Sequence, residues 1–154
     1  MKKDVLVTVK GLTTGENHDD SMEIVCNGTY YFKNGKHYIR YEEIMEESMS
    51  LISNTLKISD KSGKFRVEVK KKGSIETTLI FEEGQSHIAC YDTEYGSFML
   101  GFNASLISVE QDENKINIHI DYAMEMNYEY LSDNKIDISI VSKNTMKGKE
   151  RNND

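Results

Sequence analysis

Apolar and polar residues alternate along most of the chain, and this two-residue period restricts the possible fold more than any other feature. In an extended strand successive side chains point to opposite faces, so a strand with one buried face shows this alternation. The clearest stretch is Lys115–Met126 (KINIHIDYAMEM). The same pattern recurs at residues 5–9, 22–32, 65–69, 75–81, 98–106 and 136–140. The pattern predicts an all-β protein.

Turn-forming residues separate these stripes. Asn34 and Gly35 form the strongest hairpin signal, because both central positions of a type I′ turn need a positive φ angle. Gly28 falls inside a strand pattern and predicts a bulge or a sharp bend. About ten short strands follow one another in this way, which is typical of a meander that closes into a barrel or folds into a sandwich. We expect a single antiparallel up-and-down β-barrel of roughly eight to ten strands.

Composition places this barrel in a broad class. The 154 residues suit one domain, which we expect at residues 1–143, followed by a polar, disordered tail at 144–154. The net charge of -7 argues against a nucleic-acid partner, because phosphate binding needs a basic face. No apolar stretch is long enough for a signal peptide or a membrane helix, and the two cysteines are too few for a disulfide framework. A soluble, cytoplasmic protein is the expectation.

Six segments resemble, in order and spacing, the YwiB-like family of uncharacterised bacterial proteins. They are residues 28–31 (GTYY), 38–43 (YIRYEE), 55–58 (TLKI), 67–73 (VEVKKKG), 91–96 (YDTEYG) and 118–124 (IHIDYAM). The resemblance extends from about residue 5 to residue 140, and it implies a calycin-type, lipocalin-like barrel without an established activity. One departure is Lys71, where the family often has Arg, so the resemblance carries over no role that needs a planar guanidinium at this position.

Few residues point to catalysis or metal binding. The serine-hydrolase elbow, the zinc-protease helix motif and the phosphate-binding loop are all absent. His119 shares a strand face with Asn117 and Asp121, which could bind a metal or orient the imidazole, but a solvated strand face explains it as well. The loop at residues 16–20 offers oxygen ligands without the spacing of a calcium loop. We therefore predict no catalytic residue, no metal and no cofactor.

Tyrosines are the best candidates for lining a binding site. Tyr30 and Tyr122 lie on stripes that should face inward, and an inward Tyr brings apolar area together with a hydroxyl that needs a partner. If the strand face that carries Lys57 also points inward, its ammonium could neutralise an anionic group. His87 could line the same cavity or lie at the barrel rim. The candidate ligand-binding residues are Tyr30, Tyr41, Lys57, His87, Tyr91 and Tyr122.

Three hypotheses about function follow from this pattern. The leading one is a non-enzymatic barrel that binds a small, partly apolar molecule, which can be anionic, in its interior. The second is a filled barrel that contacts other proteins, with the acidic run at residues 42–47 as a candidate surface. The third is an enzyme in which His87 or His119 acts as an acid–base group, and the missing nucleophile ranks it last. The sequence predicts no membrane partner and does not determine the oligomeric state.

Overall fold

The computed structural model describes residues 1, 3–14, 19–45, 49–93 and 95–143, without the side chains at positions 19, 20, 45 and 93. The predicted tail at 144–154 lies outside the described residues. Within these ranges no helix has the length and apolar character needed to cross a membrane. The ten strands are β1 (Asp4–Thr14), β2 (Asp19–Lys33), β3 (Lys36–Met45), β4 (Ser50–Lys61), β5 (Lys64–Lys72), β6 (Thr77–Glu82), β7 (Ser86–Thr93), β8 (Gly96–Gln111), β9 (Lys115–Met126) and β10 (Glu129–Ser142).

The strands form one antiparallel sheet that curves into a nearly closed barrel. Strands adjacent in sequence pair with each other, and β1 also pairs with β10 along ten residue pairs. The exception is β6 and β7, which form no continuous ladder in the described part of the chain and show only the isolated backbone bridges Glu76–Asp92 and Glu82–Gln85 there. A seam therefore runs between β6 and β7. The prediction of an all-β, antiparallel up-and-down barrel is confirmed, and the strand number lies within the predicted range.

The two ends of the barrel differ, and we call them the lower end and the upper end. The lower end contains the start of β1 and the β2–β3 turn, where Asn34 and Gly35 have φ angles of 53° and 74° as predicted for this hairpin. The upper end contains the connections that follow β1, β3, β5, β7 and β9. The lower half of the interior is tightly packed, since ten inward side chains expose 1% or less of their surface: Val5, Val7, Ile39, Leu56, Ile58, Val67, Ile116, Ile118, Ile120 and Ile140. Each such burial contributes about 1.5–3 kcal/mol.

The pairing between β2 and β3 ends at Gly28. The β2–β3 ladder ends at the pair of Gly28 with Tyr41, and a Cβ atom at Gly28 would lie 2.8 Å from the Arg40 carbonyl oxygen. The register of β2 shows no shift there, so of the two predicted alternatives the bulge is absent. The glycine allows the β2 backbone to approach that of β3 closely. Register shifts occur in β8 between Ala104 and Leu106, and in β10 between Tyr130 and Ser132.

The β6–β7 turn is tied to the bulge in β8. The backbone N–H of Ile107, just after the bulge, donates to Oε1 of Glu83 at 2.6 Å. The backbone N–H of Gly84 donates to the carbonyl of Ala104 at 3.0 Å. A bulge leaves a backbone group without its ladder partner, so the Glu83 carboxylate replaces the missing acceptor. These contacts fasten the lower end of the seam.

Candidate ligand-binding site

Three apolar side chains at the upper end of the interior remain exposed, in contrast to the packed lower half. Met22, Phe98 and Met126 lie in phase with buried side chains of their own strands and so point inward. They nevertheless expose 51%, 41% and 37% of their surface. We call the space around these three side chains the upper recess. These apolar side chains therefore point into the barrel without being covered at this end.

A polar triad lies in the wall of the upper recess. Lys71 Nζ donates to Glu43 Oε1 at 2.8 Å and to Asn54 Oδ1 at 2.9 Å, and Asn54 Nδ2 donates to Glu43 Oε1 at 3.1 Å. Asn54 exposes only 1% of its surface, and the side chains of Glu43 and Lys71 expose 14% and 21%. The three residues come from the neighbouring strands β3, β4 and β5, each in phase with the inward residues of its strand.

The triad leaves hydrogen-bonding capacity for another molecule. An ammonium group has three N–H donors, and Lys71 uses two of them within the triad. The second carboxylate oxygen of Glu43 accepts no hydrogen bond from any residue that the structure describes. One cationic donor and one anionic acceptor therefore lie side by side in the recess wall, with their charges balanced.

Three tyrosines of the upper interior have raised pKa values. Burial, with smaller contributions from Tyr122 and Glu43, raises the pKa of Tyr91 to about 12. Burial alone raises the pKa of Tyr122 to about 12, and burial followed by Glu43 raises the pKa of Tyr41 further. Their hydroxyls have no hydrogen-bond partner within the described part of the chain. At neutral pH these hydroxyls are protonated and can donate a hydrogen bond.

Aromatic rings form the floor of the recess beside Tyr122. Phe81 meets Tyr122 and Phe102 edge-on, with ring centroids 5.0 Å and 5.5 Å apart. The Phe102 and Tyr122 rings are 5.8 Å apart. Edge-to-face packing of this kind fixes ring positions and leaves an apolar surface below the polar triad.

A second polar group lies on the opposite wall, in β1 and β10. Thr13 Oγ1 donates to Asn134 Oδ1 at 2.7 Å, and Asn134 Nδ2 donates to Ser132 Oγ at 3.1 Å. Both Asn134 and Ser132 are buried. Their hydrogen-bonding capacity is used internally, so they give the upper interior its polar character rather than free groups for a ligand.

The structure separates the residues that the sequence analysis grouped together. Tyr41, Tyr91 and Tyr122 point toward the upper interior, whereas Tyr30 lies near the lower end, where its hydroxyl is 2.7 Å from His37 Nδ1. Burial raises the pKa of Tyr30 and lowers the pKa of His37. Tyr30 is therefore a buried residue of the lower core with a satisfied hydroxyl.

Lys57 and His87 lie away from the triad. Lys57 is on the outer face, with Nζ 3.4 Å from Glu68 Oε2, so the condition under which we expected it inside the barrel is not met. His87 borders the seam, where its Nε2 is 3.1 Å from Glu82 Oε1. The inward lysine is Lys71, whose place in the barrel follows from its alternation with Val67 and Val69.

Sequence reasoning missed all three residues of the triad, although a signal was present. Asn54 lies in phase with Ile52, Leu56 and Ile58, and a polar residue in a buried apolar stripe is informative. In the same way, Lys71 continues the Val67–Val69 stripe. The acidic run at residues 42–47 concealed Glu43, because a run of charges suggests a solvated face. Residues 46 and 47 of that run lie outside the described residues.

His119 lies on the outer face, as its alternation predicted. Its Nδ1 is 2.6 Å from Asp137 Oδ1, and its Nε2 is 2.8 Å from Asp121 Oδ1. The hydrogen bond to Asp137 contributes most to raising the pKa of His119, and Asp121 adds to it. In the parts of the chain that the structure covers, no group of three or more His, Cys, Asp or Glu side chains has the geometry of a metal site. The loop at residues 16–18 lies outside them.

Comparisons with known proteins identify a matching family, a relative in sequence and a solved structure with a similar fold. Residues 7–138 match the family described as "Domain of unknown function (DUF1934)". The uncharacterised β-barrel protein YwiB of Bacillus subtilis (strain 168) is 28% identical over 128 residues, which cover 82% of this chain and 86% of YwiB. The crystal structure of the B. subtilis ywiB protein superposes with a TM-score of 0.77 and 23% identity, covering 91% of this chain and 92% of that one. This structural likeness supports the barrel fold.

Proposed function

The chain belongs to the DUF1934 domain family, and we propose that it is a non-enzymatic binding protein that takes one small amphipathic molecule into the upper recess. The observation that carries this proposal is the exposure of Met22, Phe98 and Met126, which point inward without being covered. A filled barrel would bury these side chains, since apolar surface in water is unfavourable. A ligand would cover these side chains, and their burial would contribute to its affinity.

The polar groups of the recess favour a neutral head group on that ligand. Lys71 is already neutralised by Glu43, so an anionic head would meet the Glu43 carboxylate as well as the ammonium. A neutral group that both donates and accepts, such as an amide or an alcohol, matches the free donor of Lys71 and the free oxygen of Glu43. The hydroxyls of Tyr91 and Tyr122 add further donors. The anionic ligand that Lys57 suggested is therefore replaced by a neutral, amphipathic one.

Two further observations support the proposal. The resemblance to calycin-type, lipocalin-like barrels favours interior binding, because barrels of about eight strands can hold one small ligand. Cys26 and Cys90 are both free thiols, which suits a protein that acts in the cytoplasm. The histidines do not support catalysis in the recess, since His119 is on the outer face and His87 contacts Glu82 at the seam.

Native mass spectrometry of protein purified gently from its own host tests the proposal. We expect an excess mass that disappears on denaturation and that belongs to a neutral, partly apolar molecule. The purified protein should also bind the neutral fluorescent amphiphile N-phenyl-1-naphthylamine, and it should bind the sulfonated analogue 1-anilinonaphthalene-8-sulfonate more weakly. A bare native mass together with no binding of either probe would exclude an interior ligand site.

One observation favours the second function, a barrel that contacts other proteins. Ile44 and Leu51 face each other across β3 and β4 on the outer side of the upper end, and both are exposed. Exposed apolar pairs of this kind can take part in protein contacts. A native mass equal to a whole-number multiple of the chain, lost on changing Leu51 to Ser, would favour this alternative.

A further inference from the structure

Charge is distributed very unevenly around the barrel. Residues 33–73, which run from the end of β2 through β5, contain ten Lys and Arg and six Asp and Glu, a net charge of +4. Residues 74–143, which contain β6 to β10, hold three Lys and Arg and thirteen Asp and Glu, a net charge of -10. The overall charge of -7 therefore hides a basic side of the molecule.

The outer surface of β2 to β5 holds a recess of about 840 Å³ on this basic side. Strand register aligns Arg40 with Thr55 and Thr55 with Lys70 on this surface, so Arg40 and Lys70 are two strand spacings, or about 10 Å, apart. Lys72 follows Lys70 on the same face of β5. We call this surface the outer basic face and define it by Tyr31, Tyr38, Arg40, Thr55, Lys70 and Lys72.

The cations of the outer basic face are not neutralised. Arg40, Lys70 and Lys72 form no ion pair with any residue that the structure describes, whereas Lys57, Arg66 and Lys71 each have a carboxylate partner. Asp4 and Glu42 also line the recess, and neither of them lies within ion-pair distance of these cations. Neighbouring unpaired cations repel one another, so an anion bound between them would be stabilised.

An aromatic platform lies beside these cations. The rings of Tyr31 and Tyr38 stack with centroids 4.9 Å apart and planes inclined by 5°. Tyr38 precedes Arg40 by two residues on the same strand face, so the platform and the guanidinium are neighbours. Tyr31 is exposed, which leaves an aromatic surface accessible to a planar group.

We propose that the outer basic face binds a free nucleotide. The base would stack on the Tyr31–Tyr38 pair, and the phosphates would contact Arg40, Lys70 and Lys72, with the Thr55 hydroxyl between them. Arginine and lysine form charge-assisted hydrogen bonds with phosphate, and aromatic rings stack on any base. A single platform accommodates one base, and the net charge of -10 on the other side of the barrel repels a long polyanion. A mononucleotide therefore fits this surface better than a nucleic-acid strand.

Calorimetric titration of the full chain with ADP, adenosine and inorganic phosphate tests this proposal. At low salt we expect ADP to bind more tightly than adenosine or phosphate, since only ADP uses both the platform and the cations. Affinity should fall as salt is raised, because exposed charges are screened. Absence of ADP binding at low salt would overturn the proposal, as would tighter binding of a short oligonucleotide than of ADP.

Variants identify the surface that binds ADP. The double variant Arg40→Gln and Lys70→Gln should weaken ADP binding by about tenfold or more, because it removes two charge-assisted contacts. Tyr31→Ser should weaken binding of ADP without changing that of phosphate. The matched control is Lys10→Gln with Lys115→Gln, which removes two cations from a different recess, lined by residues of β1, β2 and β8 to β10. Equal losses in the control and in the Arg40 and Lys70 variant would show that only net charge matters and would overturn the assignment.

Discussion

Lys71 Nζ lies 2.8 Å from Glu43 Oε1 inside the barrel, and this ion pair joins β5 to β3 across the intervening strand β4. Both side chains are largely buried, and Asn54 of β4 bonds to each of them. The pair therefore belongs to a complete hydrogen-bonded triad. Lys57 forms a comparable pair with Glu68 on the outer face, which provides a natural comparison.

Removing the inner lysine should destabilise the fold more than removing the outer one. Lys71→Met removes the cation that pairs with Glu43 and the donor to the Asn54 amide oxygen, so that Asn54 Nδ2 is the remaining donor to Glu43 within the triad. We expect a loss of about 1–3 kcal/mol in the free energy of unfolding. Lys57→Met removes an ion pair with a larger exposed fraction and should cost less than about 1 kcal/mol. Urea denaturation of both variants measures the difference. Equal costs would mean that the triad adds nothing beyond a surface ion pair.

Tyrosine hydroxyls in the recess should contribute to ligand binding. Tyr91→Phe and Tyr122→Phe each remove one donor and keep the ring, so we expect affinity for N-phenyl-1-naphthylamine or for the native ligand to fall by about two- to tenfold where the hydroxyl is used. Tyr38→Phe, on the outer face, is the control and should leave this affinity unchanged. Fluorescence titration supplies the measurement. An unchanged affinity in both inner variants would place the ligand elsewhere.

His119 should stabilise the fold in a pH-dependent manner. Its imidazolium bridges Asp121 of its own strand and Asp137 of β10, and the hydrogen bond to Asp137 is the main reason that its pKa is raised above the ordinary value of 6.5. A raised folded-state pKa means that the stabilisation is complete below about pH 6.5 and is lost as pH rises through the folded-state pKa. The difference in melting temperature between the wild type and His119→Ala should therefore shrink from about pH 6 to about pH 9.

The Asp137→Asn variant serves as the control for this effect. It removes the largest cause of the raised pKa, so the wild-type advantage over it should follow the same pH trend as that over His119→Ala. A difference in melting temperature that stays constant across this pH range would show that the His119 contacts contribute through packing and not through charge.

Glu83 should hold the lower end of the seam closed. Glu83→Ala removes the acceptor of the Ile107 N–H, and we expect a loss of about 1 kcal/mol together with faster hydrogen exchange at Ile107. Glu83→Gln keeps a carbonyl oxygen at the same position and should restore most of the protection. Hydrogen exchange followed by mass spectrometry on peptides of β6 and β8 reports both effects. Unchanged exchange in Glu83→Ala would show that another contact fastens the seam.

The sequence by itself determined those features of the fold that depend on which residues follow one another along the chain. Alternation along each strand assigned inner and outer faces, because side chains of an extended chain point to opposite sides. It therefore predicted the inward Tyr122 and the outward His119 correctly, and Asn34 with Gly35 predicted the β2–β3 hairpin. The order of six segments indicated the family, which the matches to DUF1934 and YwiB confirm.

Only the tertiary structure decided which inward residues meet. Strand alternation says that Glu43, Asn54 and Lys71 share the interior, but their hydrogen bonds depend on the register of three strands. The same holds for the separation of Tyr30 from Tyr122, which lie at different heights along the barrel. The seam between β6 and β7 also follows from closure, since the place where a curved sheet fails to pair depends on the positions of all ten strands. Local sequence does not determine how far along the barrel axis a residue lies or where the sheet closes, because both arise from contacts between residues distant in the chain.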